Sequence, residues 1–354
     1  MPIEKPILPP PGPRAVLRDL SGTLIGNGVV AFIFATTGPV AIILSVGLAG
    51  GLSESDLASW IFGSFFLNGL LSIAYCLLYR EPLVFFWTIP GTVLVGPALG
   101  HLTFPEVIGA FIATGVLMLV LGLSGWVRRA MNAVPMPIVM AMVAGVFLRF
   151  GLEWVLAFED GFWIAAPMTA AFLGLTAVPA LARRVPPLIA ALVVGIAAIM
   201  ALDAYAPPPG GTFVLGLPNL YTPVFSVQAM IELVIPLAIT VLVVQNGQGF
   251  AILTAAGHKP PINSVTAACG GASIVTAFVG TVSTCLTGPV NAIIASSGDK
   301  RTHYAAGVLV AVLALVFGAL APVFTRLMLA TPNAFITASV IRTTACTAAV
   351  TGEK

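Results

Sequence analysis

The chain has 354 residues and a formal net charge of +2; 58% of it is hydrophobic and only 8% is charged. A soluble domain carries about 25% charged residues, so a mean hydropathy of +1.06 excludes an ordinary soluble protein. The near-neutral balance excludes a nucleic-acid binder.

The first twenty residues are Pro-rich and polar, with no cleavable leader pattern, and read as a cytoplasmic tail (1–20). A helical span needs about 20 apolar residues. On that criterion spans fall near 22–46, 56–79, 83–99, 104–126, 136–152, 162–181 and 186–204. After a Pro/Gly-rich loop (207–226), more follow near 227–255, 262–279, 282–297 and 303–325. This predicts an all-α polytopic membrane protein with about eleven spans. The segments 21–206 and 227–330 form two unequal halves, and 331–354 is an atypical tail. With the N-terminus inside, eleven of the fifteen Lys and Arg fall on the cytoplasmic side, as the positive-inside rule requires. Cys76, Cys269, Cys285 and Cys346 have no metal-ligand or disulfide spacing and read as small packing residues. No cofactor is implied.

Spans 3 and 10 are both interrupted. Thr92–Ala98 reads TVLVGPA and Thr284–Val290 reads TCLTGPV, 192 positions apart. Ala41–Gly47 resembles Ala251–Gly257, and Gly122–Pro135 resembles Gly318–Pro332 with Arg129 opposite Arg326, at offsets of 210 and 197. The order is kept and the orientation reversed, which predicts an inverted repeat. In such transporters the site lies at the midplane, where short Gly/Pro-broken spans face each other. Unwound backbone there is tolerated only where protein buries it or water lines it. Half-helix N-termini offer free N–H groups and partial positive charge to a small anion.

The candidate substrate-binding residues are therefore Thr88, Pro90, Gly91 and Thr92 in span 3, and Ser283, Thr284, Thr287 and Gly288 in span 10. Gln245, Asn246 and Gln248 in span 8 complete the set. Amides in a span also serve simply to join helices, and hydroxyls to bond the i−4 carbonyl; both readings stay open. Thr36, Thr37, Asn68 and Asn291 are weaker candidates. Glu232, in the outer third of span 8, is the proton-coupling candidate, because an intramembrane acid is functional by default; the plainer reading is an interfacial residue. His101, His258 and His303 lie at span ends and read as interfacial.

VQNGQGFAILTAAG (Val244–Gly257), FWTIPG, VPMPIVMAMVAGVFLRFGL (Val134–Leu152) and HKPPINS resemble stretches of the benzoate:proton symporter family over about residues 15–335. The resemblance implies the uracil-permease-like fold: seven plus seven inverted spans, with a core of spans 1–4 and 8–11 and a gate of 5–7 and 12–14. It implies transport of a small aromatic carboxylate such as benzoate with a proton, in the inner membrane. The implied partners are that anion, the proton, lipid and, for a homodimer, a second copy. The ring is expected near Phe34 and Phe250. Two departures stand out. Span 10 lacks the family's Gly-x-His-x-x-Asn element, and only about eleven of fourteen spans are present, so a truncated product that transports poorly is also expected. A nucleobase permease, which would carry acids in spans 8 and 10, and a sulfate-permease-type anion exchanger or channel are the alternatives. A membrane hydrolase lacks its paired acids; no enzyme activity is expected.

Overall fold

The computed structural model describes residues 3–133, 136–178, 187–204, 217–332 and 338. After α1 (Pro13–Asp19) comes a pair of helices, α2 (Gly22–Thr36) and α3 (Gly38–Ala49), separated at Thr37 by the Gly38-Pro39 step. Then follow α4 (Glu54–Tyr79), β1 (Phe85–Trp87), α5 (Ile89–Leu99), α6 (Phe104–Ser124), α7 (Trp126–Ala133), α8 (Met136–Ala177, broken at Gly161) and α9 (Pro187–Ala201). The second half runs α10 (Val227–Ala255), α11 (Ile262–Ala277), β2 (Thr284–Leu286), α12 (Gly288–Ile294), α13 (His303–Ala319) and α14 (Ala321–Leu329).

Five helices among the described residues are long and apolar enough to cross a membrane: Gly22–Ala49, Glu54–Tyr79, Phe104–Ser124, Val227–Ala255 and Lys300–Ala319. Ile89–Leu99, Ala190–Ala201 and Ile262–Ala277 are shorter apolar helices. Large apolar side chains point outward from them; on α10, Ile231, Ile235 and Ile239 are all exposed, a face suited to lipid rather than water. The expected repeat match at Pro135, the 207–216 part of the central loop and most of the tail, with Cys346, lie outside the described residues.

The two halves are joined by a two-stranded antiparallel sheet, pairing Phe85 with Leu286, Phe86 with Cys285 and Trp87 with Thr284. Each strand is anchored to the helix before it by a serine. Ser72 Oγ donates to Asn68 O (2.7 Å) and accepts from Phe85 N–H (2.8 Å). Ser273 Oγ donates to Cys269 O (2.7 Å) and accepts from Thr284 N–H (2.8 Å). A buried N–H stripped of its acceptor costs about 1–3 kcal/mol. Ser273→Ala should therefore lower the melting temperature of the purified chain, and Ser72→Ala should do the same; thermal unfolding in detergent checks both.

Helices α6 and α11 pack backbone against backbone. A Cβ on Gly270 would lie 2.3 Å from Leu119 N, and one on Gly122 would lie 2.5 Å from Ala267 N. Small residues at such a contact let backbones touch, which is how helices associate without a hydrophobic drive between them. At one end of the bundle, Tyr221 donates to Asp56 and Tyr221 N–H to Phe278 O (2.9 Å). Burial, with Asp56 beside it, holds the Tyr221 phenol above its ordinary range.

At the other end, Glu4 accepts from Asn263 N–H (3.2 Å) and Ser264 N–H (3.0 Å), capping α11, whose N-cap Pro261 offers no side-chain cap. His258 and His303 lie at helix ends, and both are buried, at 4% and 3% exposure, bonded to each other.

Candidate functional site

The strand pair sits where the two short helices begin. Thr88 N–H donates to Ser283 O (3.0 Å) and Thr287 N–H to Val84 O (3.1 Å), extending the ladder at both ends. Thr88 and Thr287 are the N-caps of α5 and α12. Because the strands are antiparallel, the two helices start at opposite ends of the ladder and leave the crossing in opposite senses. Thr88 Oγ1 accepts from Gly91 N–H (3.2 Å), while Thr287 makes no side-chain cap. Pro90 and Pro289 follow the caps in the first turns, where a missing N–H costs nothing.

This corrects the register read from the letters. Thr92 and Pro97 lie inside α5, whereas Thr284 lies in β2 and Pro289 opens α12. Thr88 corresponds instead to Thr287, 199 positions on. The correspondence extends to hydrogen bonds: Thr92 Oγ1 donates to Thr88 O (3.0 Å), and Asn291 Nδ2 to Thr287 O (2.8 Å). The Ser72 and Ser273 anchors are a third matched pair. Thr-x-Leu-x-Gly-Pro repeated because Thr, Leu, Gly and Pro are frequent in such segments, not because the positions are equivalent.

Against the starts of both helices lies a small pocket bounded by Phe34, Ala35, Pro39, Phe86, Trp87, Ile89, Thr287 and Val290. Its cavity volume is about 10 Å³, room for about one water against the 300–1,000 Å³ usual for ligand sites, so its walls must part before an organic ligand can enter. The α2–α3 break at Thr37 supplies one wall and the strand ends another. Phe65 holds the floor, its ring centroid 5.1 Å from Phe86 and 5.0 Å from Trp87. No charged side chain lines the pocket among the described residues.

The buried polar atoms around the crossing divide into two sets. Asn246 Oδ1 accepts from Leu286 N–H (2.8 Å) and its Nδ2 faces Cys269 Sγ (3.6 Å). Thr284 Oγ1 donates to Asn68 Oδ1 (2.9 Å). Thr92 is bonded back to its own helix. These three are committed to holding the crossing. By contrast, Trp87 Nε1, Gln245 Oε1, Ser283 Oγ and both polar atoms of Gln248 are buried without a hydrogen-bond partner. Buried polar groups nearly always find partners, so a cluster of orphans calls for a bound group or water.

Gln248 packs on the start of α12: a Cβ on Gly288 would lie 2.7 Å from Gln248 Cδ, so only glycine leaves that amide its place. Gln245 ends a π-helical turn, Thr240–Gln245, a distortion common at functional sites. Phe34 lines the pocket as expected; Phe250 is buried but is not among its lining residues. Glu232 is not brought here either. Its side chain, 36% exposed, pairs with His101 Nε2 at 2.9 Å. Sequence reasoning missed Trp87, Phe86, Pro39 and Ile89; the available signal was the aromatic pair directly before the Thr88 cap.

A family model described as "Benzoate membrane transport protein" matches residues 18–352. Among curated proteins, the chain is 28% identical over 312 residues to Inner membrane protein YdcO of Escherichia coli (strain K12), covering 87% of this chain and 78% of that one. It is 25% identical over 302 residues to the Benzoate membrane transport protein of Acinetobacter baylyi, covering 83% and 74%. Among solved structures, it resembles the transmembrane domain of a cyanobacterium bicarbonate transporter, BicA, with a TM-score of 0.62, 14% identity and 96% of each chain covered. SLC26A9 follows with a TM-score of 0.55, 16% identity and coverage of 91% and 58%. At these identities the structural likeness establishes a shared fold.

Proposed function

We propose that this chain, which belongs to the benzoate membrane transport protein family, carries a small aromatic monocarboxylate such as benzoate across the membrane together with a proton. The observation that carries this reading is the pocket itself: aromatic walls from Phe34, Phe86 and Trp87 meet the starts of two helices at Ile89 and Thr287, and the Trp87 indole N–H is buried there without a partner. Gln245, Gln248 and Ser283, outside the lining, are the further unpartnered groups near the crossing. An arene suits the aromatic walls once they part. A carboxylate fits the N-termini, where N–H groups and the helix dipoles favour negative charge. With no Lys or Arg at the pocket, hydrogen bonds must compensate the anion's lost hydration; Trp87 Nε1 and Gln248 Nε2 are the donors without other duties. Thr88, Pro90, Gly91, Ser283, Thr287 and Gly288 shape the two N-termini. Asn246, Thr92 and Thr284 act through the crossing they hold, and Gln245 sets the helical turn that aims Gln248.

The matched hydrogen bonds 199–201 positions apart support an inverted repeat of the seven-plus-seven, uracil-permease-like kind. Spans 3 and 10 are then the interrupted pair and spans 1–4 and 8–11 the core. The basic residues favour a cytoplasmic N-terminus. Glu232, on its pair with His101, is the protein group available to take the coupled proton; the other route is entry of the neutral acid.

A second reading comes from the fold shared with a bicarbonate transporter: a small inorganic anion at the same N-termini. Uptake of labelled benzoate into proteoliposomes separates them. An inward proton gradient should accelerate uptake, and excess unlabelled benzoate should compete while bicarbonate and uracil do not. Competition by bicarbonate or uracil alone would overturn the substrate. In the same assay, loss of the gradient's effect in Glu232→Gln assigns the proton to Glu232, and an unchanged effect points to co-transfer of the neutral acid or to water in the site.

A further inference from the structure

Where α4, α10 and α13 end or begin together, three titratable side chains form one buried chain of contacts. Glu81, 19% exposed, bonds His258 Nδ1, and the His258 side chain is 2% exposed. His258 Nε2 lies 3.0 Å from His303 Nδ1. His303 Nε2 has no partner and faces the turn after α12, 3.9 Å from where a Gly298 Cβ would stand. Neither imidazole takes part in the pocket.

A hydrogen bond between two ring nitrogens needs one proton and one lone pair. His258 Nδ1 faces a carboxylate and therefore carries a proton. The chain stays intact when both rings are neutral, with His303 donating, and when His258 alone is an imidazolium, with His258 donating. A second imidazolium places N–H against N–H and forces the rings apart. The surrounding charges are already engaged or fixed at the rim. Lys259 N–H bonds Glu81 (3.3 Å), and Arg80 bonds Pro9 O (2.9 Å). Asp299 bonds Arg301 N–H (3.0 Å), and Asp19 accepts from Tyr304 (2.7 Å). Lys300 lies over Gly257, its Nζ 3.3 Å from a Cβ there.

We propose that Glu81, His258 and His303 form a proton-binding site whose last proton releases α13 and the turn after α12 from the end of α10. Histidine is the side chain whose charge changes nearest neutral pH, so the release comes as the pH falls. It reaches the segment that carries the Thr287–Gly288 helix start, and so links acidity at this end of the bundle to freedom at the pocket.

The test is hydrogen–deuterium exchange on the full chain in lipid nanodiscs, without substrate, corrected for the intrinsic pH dependence of exchange. If opening takes up one proton, the open fraction of residues 257–260 and 297–303 should rise about tenfold per pH unit below the transition. In His303→Gln the slope should vanish, because glutamine's amide N–H donates to the Nε2 of neutral His258 and its carbonyl accepts from the imidazolium. In Glu81→Gln the slope should persist, because the His258–His303 pair is still present. A flat wild-type profile, the wild-type slope retained in His303→Gln, or a slope lost in Glu81→Gln would overturn the proposal. No outcome depends on which substrate is carried.

Discussion

Gln248→Leu should weaken benzoate binding by roughly 10- to 150-fold while leaving the protein as stable as before, or more so. The pairing of the two effects is what matters. Both polar atoms of Gln248 are buried with no partner, so the empty protein already bears the cost of desolvating them. Replacing an orphaned polar group by an apolar one of similar shape is neutral or stabilising, whereas a hydrogen bond to a charged ligand contributes about 1.5–3 kcal/mol. Leucine keeps the bulk against Gly288 and removes the amide's donor together with its acceptor. Equilibrium binding of labelled benzoate gives one axis and a melting curve the other. Unchanged affinity would remove Gln248 from the site; a large loss of stability would make it a structural amide like Asn246.

Gly270→Val should nearly abolish folded protein. The Gly270 Cβ position is 2.3 Å from Leu119 N and 2.7 Å from Leu119 Cα, backbone atoms of α6 that cannot rotate aside. Overpacking a core costs about 1–3 kcal/mol when side chains can adjust; here whole helices must part. The neighbouring position is the control, because a Cβ on Gly271 meets nothing within 4 Å. Gly271→Val should be tolerated. Size-exclusion yield of the two variants after identical expression reads the difference, and similar yields would show that the α6–α11 contact does not hold the fold.

Much of this organisation was legible in the sequence, and the reasons divide by range. Helix ends follow from local chemistry: Gly38-Pro39 separates α2 from α3, and Ser53 and Thr103 announce capping boxes with Asp56 and Glu106. Sequence singled out both Gly/Pro stretches, but the structure pairs Phe85–Trp87, ahead of the first, with Thr284–Leu286 of the second. It did not reveal that Phe85–Trp87 is strand, because three apolar residues in an apolar chain carry no period to distinguish strand from helix.

The equivalence of Thr88 with Thr287 was hidden by a chance match of commoner letters. The serine anchors and the orphaned indole of Trp87 are facts of long-range contact, as is the His258–His303 bond across 45 positions. No local pattern encodes them. Among the amides, the motif marked Gln245, Asn246 and Gln248 alike; only their partners separate the one that holds β2 from the one left free.

The strand crossing also constrains how the protein comes into being. Phe86 meets Cys285 only after the ribosome has added some 199 further residues, which at about 5–20 residues per second takes roughly 10–40 s. Through that interval β1 has no strand to pair with, in a solvent that supplies no substitute hydrogen bonds. Ser72 can satisfy Phe85 N–H at once, since it lies on the helix just made, but the remaining ladder groups must wait at the translocon or near water. Insertion of the first half is therefore provisional, and the nascent chain becomes committed to the bilayer only when β2 arrives.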